Sequence, residues 1–155
     1  MSTENIEIDN IDKKIIAILQ KNATLTSNEI AKAIDLSPSA TNERIRKLQT
    51  NGVIKKIAAF IQAAAIEKSL CAFMYVLIDT PTNTKNFLKE IIKHEEVMEC
   101  HHITGEYSYL LKIRVKNTKE LESFITESLK SKLGVIRSLT QIVLSSPKDG
   151  DTIID

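Results

Sequence analysis

Isoleucines at positions 8, 11, 15 and 18 recur at three- and four-residue steps, the spacing that lines one face of a helix. Asp9 and Asp12 form a cap-like pair at its start, so a first helix is predicted over about residues 10–21. Residues 22–25 lead to a stretch at 26–52, TSNEIAKAIDLSPSATNERIRKLQTNG, with the punctuation of two short helices around a tight turn. Thr26 and Glu29 have capping-box spacing, and Leu25 and Ile30 stand at the N′ and N4 positions of a hydrophobic staple. Ser37 supplies the next cap, Pro38 a first-turn proline and Gly52 a C′ stop. On the second helix Thr41, Ile45 and Leu48 share an inward face. Ser39, Asn42, Glu43, Arg46, Lys47 and Thr50 point the other way, with Arg44 on the flank.

After residue 52 the period changes. Residues 53–61 read as an extended linker strand, and 62–69 as an Ala-rich connector. Residues 70–79 form a buried strand closed by a TPTN turn at 80–83, followed by a helix at 84–94 with Phe87, Leu88, Ile91 and Ile92 on one side. Strands at 97–104 and 108–116 join through Gly105. In the second of them Tyr109, Leu111, Ile113 and Val115 alternate with Leu110, Lys112, Arg114 and Lys116. Asn117 and Glu120 cap a helix with Leu121, Phe124, Ile125 and Leu129 inward; Gly134 ends it, and 135–145 is the last strand.

The order β-α-β-β-α-β predicts a ferredoxin-like domain with two helices on one face of a four-stranded antiparallel sheet. The fold class is therefore α+β: a three-helix winged helix-turn-helix domain with its linker strand at 1–61, a ferredoxin-like oligomerisation domain at 62–145, and a polar tail at 146–155. The second face of such a sheet carries apolar residues and needs a cover. An identical sheet is the simplest one, so a two-fold homodimer is expected.

Composition adds little by itself: 43% of residues are hydrophobic and 26% charged, as in an ordinary globular protein. Charge placement adds more. The formal net charge is only +1, but residues 44–56 hold Arg44, Arg46, Lys47, Lys55 and Lys56 and no acid, whereas 1–43 hold four lysines against seven acids. Phosphate binding depends on local charge, which here gathers on the second helix and just beyond it. Cys71 and Cys100 have no CxxC spacing, no secretory signal precedes them, and no apolar run is long enough to span a bilayer. A cytoplasm is the expected location, with no membrane partner.

This pattern fits a reader of double-stranded DNA. Recognition helices contact base edges mainly with residues near their N-terminus, which makes Ser39, Asn42 and Arg46 the base-contact candidates, with Ser37 beside them. Asn pairs bidentately with adenine and Arg with guanine. Glu43 is expected to pair with Lys47 one turn on rather than with cytosine. Arg44, Lys47, Lys55 and Lys56 are expected to hold phosphates.

Catalytic signals are missing: no paired carboxylates, nucleophile–base spacing or phosphate-binding glycine loop occurs. His101 and His102 are strand neighbours, which point to opposite faces, so no metal site is expected beside Cys100. No cofactor is expected, and the protein is not read as an enzyme.

The segment IDNIDKKIIAILQKNATLTSNEIAKAIDLSPSATNERIRKLQTNGVIKK resembles the N-terminal head of the Lrp/AsnC (feast/famine) transcriptional regulators. The resemblance rests on Asp9 and Asp12, Leu19-Gln20, the Leu-Ser-Pro-Ser of 36–39, the Arg-x-Arg-x-Leu of 44–48 and the Gly-Val-Ile of 52–54. Glu-Cys-His at 99–101 and Thr-Gly-Glu-Tyr at 104–107 are similar to that family's ligand-sensing half. The resemblance implies a regulator that dimerises through the second domain, assembles further, often into an octamer, and responds to a free amino acid. The effector residues it implies are Thr104, Gly105, Glu106, Tyr107 and Ser108. Three departures stand out: Ser108 where the family often has Asp, Lys56-Ile57 where Gly-Tyr is common, and Lys68-Ser69 in place of a hinge glycine. A tetrapyrrole enzyme similar to the siroheme decarboxylases is an alternative on the same fold, as is a sensing module without DNA binding.

Overall fold

Asp9 and Asp12 cap each other at the start of the first helix. The Asp12 N–H donates to Asp9 Oδ1 at 2.8 Å, and the Asp9 N–H donates to Asp12 Oδ2 at 3.3 Å. The computed structural model describes residues 7–130 and 133–149. They fall into two compact units, one built on residues up to Phe60 and the other on Ile61–Pro147.

The first unit consists of α1 (Asn10–Lys21), α2 (Ser27–Ile34) and α3 (Pro38–Thr50). Thr26 and Glu29 form the second capping box, with the Thr26 N–H 2.7 Å from Glu29 Oε2. Ser37 caps α3 by accepting from the Ala40 N–H at 3.2 Å. The turn between α2 and α3 passes through Asp35 at φ 58°, a left-handed conformation that Asp tolerates better than most side chains. Ile15, Ile30 and Leu48, one from each helix, form the buried centre, and Val53 and Ile54 pack against it.

That packing explains a departure from expectation. Residues 53–61 form no strand: Ile54 donates its N–H to the Leu48 carbonyl at 3.0 Å. Its neighbours' backbone is likewise outside any ladder, because the two apolar residues close the helical core instead.

The second unit holds β1 (Leu70–Ile78), α4 (Pro81–Ile91), β2 (Val97–His102), β3 (Tyr109–Val115), α5 (Thr118–Ser123) and β4 (Val135–Ile142). A 3-10 turn at Ala63–Ile66 precedes β1 within the same unit. The sheet order is β2-β3-β1-β4, antiparallel throughout, as the β-α-β-β-α-β order requires. Ala72, Met74, Val76 and Ile78 of β1 and Tyr109, Leu111, Ile113 and Val115 of β3 face the helices and are buried.

Two helices differ from the sequence reading. The TPTN segment is not a separate turn: Thr80 is the N-cap of α4, its hydroxyl accepting from the Asn83 N–H at 3.2 Å, with Pro81 in the first turn. The helix therefore starts earlier, and only Phe87 and Ile91 are buried while Leu88 and Ile92 face outward. After α5 the chain widens into π-helical turns at Phe124–Lys130. The i→i+5 repeat of such turns keeps Phe124 and Leu129 on the same buried side.

On the opposite face of the sheet, Phe73, Tyr75 and Leu77 of β1 stand beside Leu110 of β3 and Leu139 of β4. Leu139 is 45% exposed.

Candidate nucleic-acid interface and effector loop

Thr41 anchors α3 from beneath. It is fully buried and its hydroxyl donates to the Ser37 carbonyl at 3.0 Å, so it brings no unsatisfied polar group into the core. With Thr41 and Leu48 turned inward, Ser39, Asn42, Glu43, Arg46, Lys47 and Thr50 are all exposed, as the spacing predicts. Ser37 is exposed at the N-cap, its Oγ 3.1 Å from Ser39 Oγ. Lys55 and Lys56 are exposed beyond Gly52, whose φ of 72° ends the helix in a conformation glycine accepts freely.

Two of these side chains are held from other helices. Asn42 accepts a hydrogen bond on Oδ1 from the Ser27 hydroxyl, which fixes its amide from the first turn of α2. Arg44 differs more from expectation. Its Nη1 lies 2.7 Å from Asp9 Oδ2 and 2.8 Å from Asp12 Oδ1. Those contacts hold the Arg44 guanidinium above its ordinary pKa, Asp12 acting first and Asp9 next. The Asp9 carboxyl is held below its ordinary range, chiefly by the Asp12 N–H and then by Arg44. Glu43 does not pair with Lys47 among the described residues. Both instead line a cleft of about 580 Å³ with Glu7, Asp9, Asp12, Ala40 and Arg44.

In the second unit, residues 104–108 form the β2–β3 connection, closed by the Ile103 N–H donating to the Ser108 carbonyl at 3.0 Å. Gly105 has φ 114°, which L side chains rarely adopt. Thr104, Gly105 and Glu106 are exposed, while Tyr107 and Ser108 are half-buried. Ser108 donates its N–H to the Val76 carbonyl at 2.9 Å, tying the loop to β1.

The loop also engages a residue that the sequence reading missed. Arg137 of β4 ion-pairs through Nη2 with Glu106 Oε1, and its guanidinium lies 5.0 Å from the Tyr107 ring centroid. Tyr107 in turn lies 5.7 Å from Tyr75 of β1. No local spacing links Arg137 to the loop; only the β1–β4 register, which sets Arg137 opposite Leu77, brings it there.

The histidines separate as strand alternation requires. His101 Nε2 sits 3.1 Å from Glu99 Oε2, whereas the His102 ring stacks on Tyr109 at 4.9 Å. Among the described residues no group of three His, Cys, Asp or Glu side chains has metal-holding geometry. No helix among them is long and apolar enough to cross a membrane.

Known proteins share both halves. A winged helix-turn-helix DNA-binding family model matches residues 8–55, and the Lrp/AsnC ligand-binding-domain model matches residues 71–153. The HTH-type transcriptional regulator FL11 of Pyrococcus abyssi is 37% identical over 144 residues, covering 93% of this chain and 94% of that protein. The leucine-responsive regulatory protein of Escherichia coli K12 is 29% identical over 150 residues, covering 96% and 92%. A transcriptional regulator from Neisseria meningitidis, solved in complex with L-Met, superposes with a TM-score of 0.89 at 29% identity, covering 95% of this chain and 96% of that one. These matches favour the regulator over the tetrapyrrole-enzyme alternative. The chain belongs to the Lrp/AsnC family of transcriptional regulators, with a DNA-binding helix-turn-helix head and the family's ligand-binding domain.

Proposed function

We propose that α3 enters the major groove of double-stranded DNA, with Ser39, Asn42 and Arg46 reading base edges and Ser37 at the helix start beside the backbone. Lys47, Lys55 and Lys56 neutralise phosphates. The observation that carries this reading is the outer face of α3: wholly polar, exposed, and with no ion-pair partner for Arg46 or Lys47 among the described residues. Glu43 is left as a base-edge acceptor, now that its pairing with Lys47 is not formed.

The effector is a free amino acid held at residues 104–108. The N. meningitidis regulator and a Mycobacterium tuberculosis feast or famine regulatory protein were each solved with L-methionine. In this chain Arg137 and Glu106 place opposite charges side by side, a match for the carboxylate and ammonium of a zwitterion. Glu106 also supplies a carboxylate in a loop that has Ser108 where an Asp is common.

The bare face of the sheet, with Phe73, Tyr75 and Leu139, mates with that of a second copy. A homodimer then presents two heads to DNA, and further assembly, as in an octamer, brings effector loops together.

Two measurements test the reading. Fluorescence anisotropy of the protein with duplexes selected from a random library reads DNA binding, and no enrichment over scrambled duplexes removes the recognition-helix assignment. A thermal-shift screen over the free amino acids reads the effector, since a ligand that binds only the folded state raises its stability. No shift at millimolar concentration removes the amino-acid effector.

A further inference from the structure

We propose that Arg44 is a positioning residue for DNA recognition: the α1 cap grips its guanidinium, and this grip sets the pose of the recognition helix. The inference rests on the reading of α3 given above, and its observations come from the α1–α3 contact.

The four carboxylate oxygens of the cap divide their work evenly. Asp9 Oδ1 accepts the Asp12 N–H and Asp12 Oδ2 accepts the Asp9 N–H, so one oxygen of each is spent on the helix start. The remaining two, Asp9 Oδ2 and Asp12 Oδ1, both accept from Arg44 Nη1. The cap fixes each carboxylate before Arg44 arrives, so the arginine meets a preorganised acceptor pair. Asp12 is the more enclosed partner, with its side chain 14% exposed against 32% for Arg44. Both Nη1 donors are taken up by these charge-assisted bonds, which are among the stronger kind, and they tether the guanidinium to α1.

The surroundings point the same way. The cleft at this contact is lined by Glu7, Asp9, Asp12 and Glu43 against Arg44 and Lys47. Four acids against two cations leave the surroundings of the Arg44 guanidinium net negative. Arg44 also lies two residues from Asn42 and two from Arg46. Any tilt of α3 about this anchor therefore moves both base-reading candidates together, and with hydrogen-bond geometry falling off steeply, specificity suffers before charge attraction does.

The test compares full-length wild type, Arg44→Ala and Lys55→Ala on two duplexes of equal length, one selected from a random library by the wild type and one scrambled, across a salt series. Lost phosphate contacts lower the slope of log K against log salt by about 0.9 each. For Arg44→Ala we expect at least a tenfold loss on the selected duplex, less than a twofold loss on the scrambled one, and an unchanged salt slope. Lys55→Ala should weaken both duplexes alike and flatten the slope. An equal loss on both duplexes with a reduced slope for Arg44→Ala would make it a phosphate contact and overturn the proposal, as would no loss on either.

Should Arg44→Ala fail to fold, Asp9→Asn combined with Asp12→Asn keeps competent capping side chains while releasing Arg44. That variant is expected to bind the scrambled duplex more tightly with a steeper slope and to lose preference for the selected one. Retained preference would overturn the proposal. A wild type that selects no duplex at all would instead remove the DNA-reading assignment on which it rests.

Discussion

The side chain of Asn83, in the first turn of α4, lies directly over the backbone of Gly134, just before β4. A Cβ at Gly134 would sit 3.0 Å from Asn83 Cγ. Asn83 cannot easily yield, because its Nδ2 donates to Asp79 Oδ1 at 2.8 Å. Gly134 also has φ 65°, where an L side chain costs about 1–2 kcal/mol. Gly134→Ala should therefore lower the urea midpoint with an unchanged m-value. Gly52→Ala is the control: it has φ 72° but nothing within 4 Å of the added carbon, so it should lose less. Equal losses would show that the Asn83 contact is immaterial.

The capping box at α2 makes a pH-dependent prediction. Glu29 titrates below its usual value near 4.5, held there first by the Thr26 N–H and then by the Thr26 hydroxyl. A carboxyl whose pKa is lower in the folded than in the unfolded state adds stability above the unfolded value. That stability drains away as pH falls through the lower, folded value. Melting temperature should thus fall below about pH 4.5 more steeply in wild type than in Glu29→Gln; parallel curves would sink the assignment. Thr26→Ala should cost about 1 kcal/mol at neutral pH.

Arg46→Ala should cost about 1–3 kcal/mol on a selected duplex and relax the preference at one base position. Removing the Ser27 hydroxyl, which holds Asn42, should loosen selectivity at a different position. Competition anisotropy over single-base variants of the duplex distinguishes the two, and unchanged selectivity for both would count against α3 as the reading helix.

At the effector loop, Arg137→Ala should abolish any thermal shift produced by an amino acid while leaving the unliganded melting temperature nearly unchanged. Exposed ion pairs such as Arg137–Glu106 add little to stability. A full shift retained in the variant would take Arg137 out of the site.

Leu139, on the bare face of the sheet and opposite Tyr75, tests the dimer. Leu139→Asp should move the sedimentation coefficient toward that of a monomer, because it buries a charge in an apolar contact. An unchanged coefficient would place the dimer contact elsewhere.

Much of this molecule was legible because its signals are local. Asp9 with Asp12, Thr26 with Glu29, and Ser37 with Pro38 act within one helical turn. The alternation from Tyr109 to Val115 likewise determines its buried face without any knowledge of the neighbouring strands. The same locality misled at TPTN, where turn-forming residues serve equally well as a helix cap, and at Val53–Ile54, whose apolar character reads as strand but completes a helical core.

Local sequence signals were enough for most helices and strands and their order, and for the exposed basic and polar face of α3, but not for the segments at 53–61 and 80–83. Only the tertiary structure shows which partners the candidate side chains meet. Arg44 meets Asp9 across 35 positions, Arg137 meets Glu106 across 31 and Asn42 meets Ser27 across 15. A helical or strand period carries no information about partners at those separations. They meet only when apolar faces pack and fix the distances, and that packing brings Arg44 of α3 against Asp9 and Asp12 at the cap of α1.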